Sequence, residues 1–314
     1  MHEPTPLLLP DRGPVIGLAL GSGAARGWAH LGVLQALARE GIEPQIVCGC
    51  SVGAFIGAAY AAGDLTKLTE WVRKLKWQDV VSLLDVSLRG GLIRGQKLIQ
   101  FFERNFVDRD FSRLDRRFAC VATELETGRE IWLREGSVAA AVRASIALPG
   151  LFTPVTLNGR LLVDGGLVNP VPVSLCRAMG ADIVIAVDLG SDMVGKSLRL
   201  APSDDETGIG WTERLLARFG FFGNGGNGAG GSGQSTVSES NLPSLLTVLT
   251  TSINIMQVRI ARSRLAGEPA DVQISPRLGH LGPMDFHRAA EAIAEGEAAV
   301  ERVLPALRYS LGHG

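Results

Sequence analysis

The sequence lacks a charge imbalance. Its 31 lysines and arginines stand against 32 aspartates and glutamates, which leaves a formal net charge of −1. A nucleic-acid-binding domain normally carries a concentrated positive charge, so this composition argues against a nucleic-acid partner. Hydrophobic residues make up 46% of the 314 residues, which is enough for a sizeable core and excludes wholesale disorder.

Cysteines are few, and their spacing matches no metal site. The four of them form no C-x-x-C pair and no cysteine–histidine cluster; they are Cys48, Cys50, Cys120 and Cys176. Because three of them lie in or beside apolar runs, we expect buried, reduced thiols in a cytoplasmic protein. We expect no metal and no other cofactor.

Long apolar runs are also absent. The start of the chain has no basic stretch followed by a long apolar run, so no signal peptide is predicted. No uninterrupted apolar run reaches the length of about 20 residues that a helix needs to cross a bilayer. We therefore expect a cytoplasmic protein, with any membrane contact peripheral and at the inner membrane surface.

What the sequence does contain is a G-x-S-x-G pattern, at Gly49-Cys50-Ser51-Val52-Gly53. Residues 46–48 before it predict a buried strand, and the apolar, alanine-rich residues 54–62 after it predict a buried helix. At a strand-to-helix turn this spacing holds the serine in a strained backbone conformation, and the two glycines let strand and helix pass closely. We interpret Ser51 as a nucleophile; a glycine–serine turn without chemistry is the alternative.

A glycine-rich loop precedes this pattern, at Gly21-Ser22-Gly23-Ala24-Ala25-Arg26-Gly27, and is called the glycine loop below. It links a predicted strand, 15–20, to a predicted helix, about 28–39, so a right-handed crossover would bring it to the same sheet edge as Ser51. A dinucleotide fingerprint would require glycine where Arg26 stands. The loop fits an oxyanion hole better, because its N–H groups lie at a helix N-terminus, and Gly23 and Ala24 are the best candidate donors. Arg26 either adds positive charge for an acidic head group or is a solvated surface residue.

An aspartate follows a predicted β-hairpin. Two apolar segments, 155–157 and 160–163, flank Asn158-Gly159, a pair that favours a type I′ turn. The second segment leads into Asp164-Gly165-Gly166, and an acid at a strand end followed by two glycines suits a crowded pocket. A plain Asp-Gly-Gly turn is the alternative reading of this motif. Asp188, at the end of a predicted strand at 182–188, is a rival acid.

The rest of the pattern predicts one α/β domain with an insertion. Residues 211–222 are amphipathic and form either a lid, a membrane-touching helix or an element packed on the surface. The Gly-, Asn- and Ser-rich run after them cannot bury enough apolar surface to fold. We expect a single domain, 1–314, with its core in about 15–190 and 245–307 and a flexible insertion at 201–241. Further helices are predicted at about 65–75, 98–102, 138–145, 173–179, 245–265 and 286–307, and further strands at 118–123, 130–133 and 272–274.

In this order, the glycine loop, the G-x-S-x-G pattern and Asp164-Gly165-Gly166 resemble the patatin-like phospholipase family, in particular its bacterial branch related to neuropathy target esterase. The resemblance implies a three-layer α/β/α patatin-like (FabD/lysophospholipase-like) fold with a mainly parallel central sheet. It also implies hydrolysis of lipid acyl esters by a Ser-Asp dyad, with Ser51 as nucleophile, Asp164 as general base and the glycine loop as oxyanion hole. One departure stands out: the family usually has glycine where Ser22 and Ala24 stand.

Several alternatives stay open. An aspartate with a reference pKa near 3.9 is a poor base at neutral pH, so either burial raises the pKa of Asp164 or turnover is slow. A serine–histidine–acid triad would use one of the histidines away from the chain ends, which are His30, His280 and His287. A catalytically weak protein that binds lipid or a protein partner could keep the same fold. An acyltransferase would use the same dyad.

Overall fold

The computed structural model describes residues 13–83, 93–107, 109–193 and 245–312. The predicted insertion at 201–241, with its amphipathic piece at 211–222, lies outside these residues. So do His2 and His313 at the two chain ends.

A mixed sheet forms the centre of the fold. Its strands are β1 (Ile16–Leu20), β2 (Ile46–Cys50), β3 (Arg117–Glu124), β4 (Glu130–Leu133), β5 (Val155–Leu157), β6 (Arg160–Asp164), β7 (Ile183–Val187) and β8 (Val272–Ile274). They follow the order β5-β6-β3-β2-β1-β7-β8, and β4 also pairs with β3. The neighbouring strands β3 and β2, β2 and β1, β1 and β7, and β7 and β8 pair in parallel. Strands β4, β5 and β6 are antiparallel to their neighbours. The mainly parallel sheet expected from the sequence is confirmed.

Helices cover both faces of this sheet. They are α1 (Ala29–Arg39), α2 (Val52–Ala61), α3 (Leu65–Lys74), α4 (Trp77–Leu83), α5 (Gln96–Asn105), α6 (Val138–Ser145), α7 (Val173–Ala178), α8 (Leu245–Gly267) and α9 (Ala289–Ser310). Short 3₁₀ turns at Ala24–Trp28 and Gly165–Leu167 frame the candidate site. The sequence pattern predicts the ends of each α-helix to within a few residues, except for α4, where no helix is predicted.

The alternation of side chains along the strands separates two apolar layers. In β1, Leu18 and Leu20 pack into a core shared with α1, α2 and α9, whereas Ala19 faces the other side of the sheet. There it joins a smaller core with α7 residues such as Leu175 and Cys176. This is the expected three-layer α/β/α arrangement. All four cysteines are buried and free, as predicted.

The register of the sheet brings two candidate residues to the same level. Cys50, the last residue of β2, pairs with Val121 of β3. The next residue of β3, Ala122, pairs with Asp164 at the end of β6. Ser51, which follows Cys50, therefore lies level with Asp164 across the width of one strand.

Candidate active site

Ser51 lies on a sharp turn between β2 and α2. Its backbone torsions, φ 55° and ψ −122°, place it in a region that L-residues rarely adopt. A Cβ at Gly49 would lie 2.5 Å from the backbone nitrogen of Ala54, and a Cβ at Gly53 would collide with the carbonyl oxygen of Leu20. The two glycines are therefore required by close approach of the backbone, as the G-x-S-x-G pattern predicts.

The Ser51 hydroxyl points at a buried carboxylate. Its Oγ donates a hydrogen bond to Asp164 Oδ2 at 2.6 Å. The other carboxylate oxygen, Oδ1, accepts from the backbone N–H of Gly166 at 2.7 Å. The Thr123 hydroxyl donates to the carbonyl oxygen of Asp164 at 2.8 Å, which fixes the acid to β3. The serine and the acid that the sequence separates by 113 positions are thus in direct contact.

The environment of Asp164 changes its proton affinity. The side chain is completely buried, and this burial raises the pKa of the carboxyl to about 6, because desolvation disfavours the charged form. The hydrogen bonds from Ser51 and Gly166 favour the charged form and act in the opposite direction. At neutral pH the group is a carboxylate with a higher proton affinity than an exposed aspartate, which suits a base.

The two glycines after Asp164 lie at close backbone contacts. A Cβ at Gly165 would collide with the carbonyl group of Val121, and a Cβ at Gly166 would collide with the side-chain amide of Gln257. The Cβ position of Gly166 is also 3.0 Å from Asp164 Oδ1. The motif therefore combines close backbone contacts with a turn, because Asp164 caps the 3₁₀ turn Gly165–Leu167 by accepting the Gly166 N–H.

Within the glycine loop, most backbone N–H groups already have acceptors. Gly21 donates to Val187, Ser22 to Pro170 and Ala25 to Pro283, at 2.9 to 3.1 Å. Arg26 donates to Gly23 at 3.2 Å, and Gly27 lies within the 3₁₀ turn Ala24–Trp28.

Two N–H groups of the loop differ. Among the residues that the structure describes, none accepts a hydrogen bond from Gly23 or Ala24. Ala24 also has a positive φ of 51°, which is uncommon for a residue with a side chain. The loop therefore presents two unoccupied donors, and they lie at the start of a helical turn.

Arg26 is not a solvated surface residue, so that alternative is wrong. Its side chain is 2% exposed, its Nη1 contacts the Met193 sulfur, and its Nε has no hydrogen-bond partner among the described residues. Burial lowers the pKa of the guanidinium to about 10, partly offset by the carboxylate of Asp285. Arg26 thus remains charged at neutral pH, as a buried cation of the glycine loop.

The rival acid Asp188 is engaged elsewhere. Its Oδ1 accepts from the Gly190 N–H at 2.9 Å, and its Oδ2 accepts from Gln273 at 3.4 Å. Burial raises its pKa as well. The hydrogen bond of Ser51 goes to Asp164 instead.

The histidines of the described chain show no contact with the serine–aspartate pair. His30 is fully buried, and its Nε2 lies 2.8 Å from the carbonyl oxygen of Gly21. His280 is exposed and pairs with Glu291 at 2.7 Å. His287 lies in the 3₁₀ turn Phe286–Arg288. A triad is therefore not assembled from the residues described.

Two residues near the serine–aspartate pair were not identified as site residues from the sequence. The Ser145 hydroxyl, at the end of α6, accepts the backbone N–H of Ser51 at 2.9 Å and donates to the Val121 carbonyl at 2.7 Å. Gln257 of α8 lies against Gly166, and its Oε1 accepts a long hydrogen bond of 3.5 Å from the Ser22 hydroxyl. A glutamine at helical spacing between the buried Ile253 and Ala261 is a signal that could have identified Gln257.

Within the described ranges, no group of three or more His, Cys, Asp or Glu side chains is placed to hold an ion. Among the same residues, no helix combines the length and apolarity that a membrane span requires.

The chain matches known proteins over most of its length. Residues 18–177 match the family model described as patatin-like phospholipase. An uncharacterized NTE family protein of Mycobacterium bovis is 35% identical over an alignment 347 residues long. The alignment covers 96% of this chain and 96% of that protein. Lysophospholipase nte1 of Emericella nidulans is 34% identical over 186 residues, which cover 57% of this chain and 12% of that protein.

A solved structure, VipD from Legionella pneumophila, aligns with a TM-score of 0.48 and 15% identity over 80% of this chain and 67% of that one. The family predicted from the three ordered motifs is confirmed by the family model and by the M. bovis relative, which matches over 96% of its length. This chain belongs to the patatin-like phospholipase family, in its NTE branch.

Proposed function

We propose that this protein is a serine hydrolase that cleaves acyl esters of lipids, in the manner of a phospholipase A or lysophospholipase. The observation that carries the proposal is the 2.6 Å hydrogen bond from the Ser51 hydroxyl to the buried Asp164 carboxylate. A nucleophile in contact with a base of raised pKa is the arrangement that covalent catalysis by serine requires. Membership of a phospholipase family and a relative named lysophospholipase support lipid esters as the substrate class.

The first half of the reaction forms an acyl-enzyme. Ser51 Oγ attacks the ester carbonyl carbon while its proton moves to Asp164, and the carbonyl oxygen becomes an oxyanion. The unoccupied N–H groups of Gly23 and Ala24 are the donors that receive this charge. The tetrahedral intermediate then collapses, the carbon–oxygen bond of the alcohol breaks, and the leaving alkoxide takes the proton from Asp164.

The second half restores the enzyme. A water molecule gives a proton to Asp164 and its oxygen attacks the acyl carbon. Collapse of the second tetrahedral intermediate breaks the bond to Ser51 Oγ, which recovers its proton from Asp164, and a fatty acid leaves. No histidine takes part in either half, and each half begins with the carboxylate form of Asp164.

The test is hydrolysis of p-nitrophenyl esters of increasing chain length, alongside phospholipids and lysophospholipids. We expect Ser51→Ala to lower kcat at least about 1000-fold against wild type. A fluorophosphonate probe should label wild type and fail to label Ser51→Ala. The matched control is Ser252→Ala, which changes an exposed serine of α8 and should keep both activity and labelling.

An inactive, unlabelled wild type would overturn the proposal and favour a lipid- or protein-binding role on this fold. An ester substrate consumed only when an alcohol acceptor is added would instead favour acyl transfer. Free fatty acid released in water alone is the outcome that supports hydrolysis.

A further inference from the structure

The imidazole of His30 is completely buried at the start of α1, directly behind the glycine loop. Its Nε2 is 2.8 Å from the carbonyl oxygen of Gly21. Since a carbonyl oxygen can only accept, Nε2 carries the proton and donates it to this bond. The other ring nitrogen, Nδ1, is buried and has no hydrogen-bond partner among the described residues.

Packing alone does not explain a histidine at this position. A buried acceptor without a donor, such as Nδ1, costs free energy, and a leucine of similar size would avoid that cost. Proton transfer does not explain it either, because the only N–H of the neutral ring is already used by Gly21. Burial also lowers the pKa of the ring to about 4, so the ring stays neutral near pH 7.

The carbonyl group that accepts the hydrogen bond of His30 lies between the glycine loop and the serine turn. Gly21 is the first residue of the glycine loop, and its N–H is fixed by the Val187 carbonyl of β7 at 3.1 Å. Its carbonyl oxygen would lie 2.8 Å from a Cβ placed at Gly53, the second glycine of the serine turn. The Gly21 backbone is therefore held by the sheet at its N–H and by His30 at its carbonyl, and it touches the turn that carries Ser51.

The helix that carries His30 cannot easily shift. A Cβ at Gly32 of α1 would collide with the Ile293 carbonyl of α9, and a Cβ at Gly296 of α9 would collide with the Ala29 carbonyl of α1. The two backbones are thus in direct contact on both sides of His30 in sequence. The imidazole therefore lies on a tightly packed helix, which allows it to fix the position of the Gly21 peptide group.

We propose that His30 is a positioning residue for the oxyanion hole, acting through the Gly21 carbonyl. The Nε2–H···O bond sets the plane of the peptide that opens the loop, and so sets where the N–H groups of Gly23 and Ala24 point. This inference rests on the proposed function, in which those two groups receive the oxyanion. Because the oxyanion forms only during the reaction, loss of the bond should lower kcat and leave KM nearly unchanged.

The experiment compares substitutions that keep or remove the donor. Glutamine places an amide N–H near the position of the imidazole Nε2, whereas leucine and methionine fill the space without a donor. We expect His30→Leu and His30→Met to lower kcat about 10- to 100-fold with KM within about twofold, as expected for a displaced oxyanion donor. His30→Gln should recover most of the lost kcat.

Stability measurements separate positioning from a general packing effect. His30→Leu removes the unpaired Nδ1 but leaves the Gly21 carbonyl unpaired, so its melting temperature should stay within about 4 °C of wild type. The control Val33→Ala removes buried methyl groups from the same helix and should lower the melting temperature while keeping kcat.

Three outcomes would overturn the inference: wild-type kcat in both His30→Leu and His30→Met, a His30→Gln variant as slow as His30→Leu, or a Val33→Ala variant with the same loss of kcat. Activity of wild type over Ser51→Ala is measured in the same series. A failure of the proposed function would remove that difference, whereas a failure of the His30 inference would leave it intact.

Discussion

The backbone N–H of Ser51 donates a hydrogen bond to the Ser145 hydroxyl at 2.9 Å, and this hydroxyl donates in turn to the Val121 carbonyl at 2.7 Å. The proposed nucleophile lies in a strained conformation with positive φ, which persists only where surrounding groups hold it. Ser145 joins that conformation to α6 and to β3 with one hydroxyl group.

We therefore expect Ser145→Ala to damage both stability and activity. The substitution leaves the Ser51 N–H and the Val121 carbonyl unpaired in a buried place, which should cost about 1 to 3 kcal/mol of unfolding free energy. A relaxed turn would also misplace Ser51 Oγ, so kcat should fall about 10- to 100-fold. Chemical denaturation and steady-state kinetics measure the two effects.

The control for this variant is Ser137→Ala at the other end of the same helix. Ser137 caps α6 by accepting the Ala140 N–H at 3.2 Å, so its loss should cost about 1 kcal/mol. Because Ser137 is remote from Ser51 along α6, kcat should not change. Equal losses of kcat in both variants would show that the effect of Ser145 is only a loss of stability.

The pH dependence of activity should report Asp164. As a base it must be ionised, and its pKa is raised to about 6 because of burial. We expect kcat/KM to fall about tenfold for each pH unit below 6 and to be level above pH 7. An exposed aspartate would place this limb about two pH units lower. A pH–rate profile on a neutral ester measures the limb.

Asp188 provides the matched control for that profile. It is also a buried acid with a raised pKa, but its carboxylate binds Gly190 and Gln273. Asp188→Asn should leave the limb near pH 6 in place. If the limb disappears in Asp188→Asn, then the titrating group has been assigned to the wrong acid.

Asp164 should also make the protein less stable above pH 6. A carboxyl with a raised pKa in the folded state stabilises fully only below its unfolded pKa, and that contribution is lost as the pH rises through the folded pKa. Between pKa values of about 3.9 and about 6, the loss amounts to at most about 3 kcal/mol. Asp164→Asn removes the titration and should be more stable than wild type at pH 8.

Thermal unfolding of both proteins at pH 4 and pH 8 tests this directly. At pH 4 the acid is protonated in the folded state, so wild type and Asp164→Asn should unfold at similar temperatures. At pH 8 the variant should unfold several degrees higher while its esterase activity is lost. A stability difference that is the same at both pH values would contradict a raised pKa at Asp164.

Local features of the site could be predicted because local sequence determines them. Asn158 and Gly159 both have positive φ, 51° and 75°, as a type I′ turn requires, and the dipeptide alone predicts this. The G-x-S-x-G pattern likewise predicts the turn at Ser51, since its glycines are required by contacts within that turn and with β1.

Features that depend on distant contacts could not be predicted. Sequence left Asp164 and Asp188 as rivals, because the choice follows from the register of β3 between β2 and β6. The sequence indicates Gly23 and Ala24 as the best donors of the loop, but it does not indicate the carbonyls of Val187, Pro170 and Pro283, which lie far along the chain and accept from the other N–H groups. The burial of Arg26 and the role of Ser145 depend on equally distant neighbours, and no local pattern indicates them.

Ala24 is one of the two positions, with Ser22, at which the family resemblance implies glycine, and its conformation suggests a gain from placing glycine there. With φ at 51°, its side chain costs about 1 kcal/mol relative to glycine in the folded state. Ala24→Gly relieves this strain but adds freedom to the unfolded chain, so the free energy of unfolding should change by less than about 1 kcal/mol. We expect removal of the methyl group to widen the approach to one of the two unoccupied donors.

We therefore expect Ala24→Gly to leave stability nearly unchanged and to keep or raise kcat/KM, with the larger gain on esters that are bulky near the carbonyl. Ala24→Val is the opposing variant, because a β-branched residue at positive φ is strongly disfavoured. It should lower both stability and kcat. Chemical denaturation and kinetics on a small and a bulky ester compare the two. A loss of activity in Ala24→Gly as large as that in Ala24→Val would mean that the loop needs the alanine side chain, and the Ala24 N–H would then be a poor candidate for binding the oxyanion.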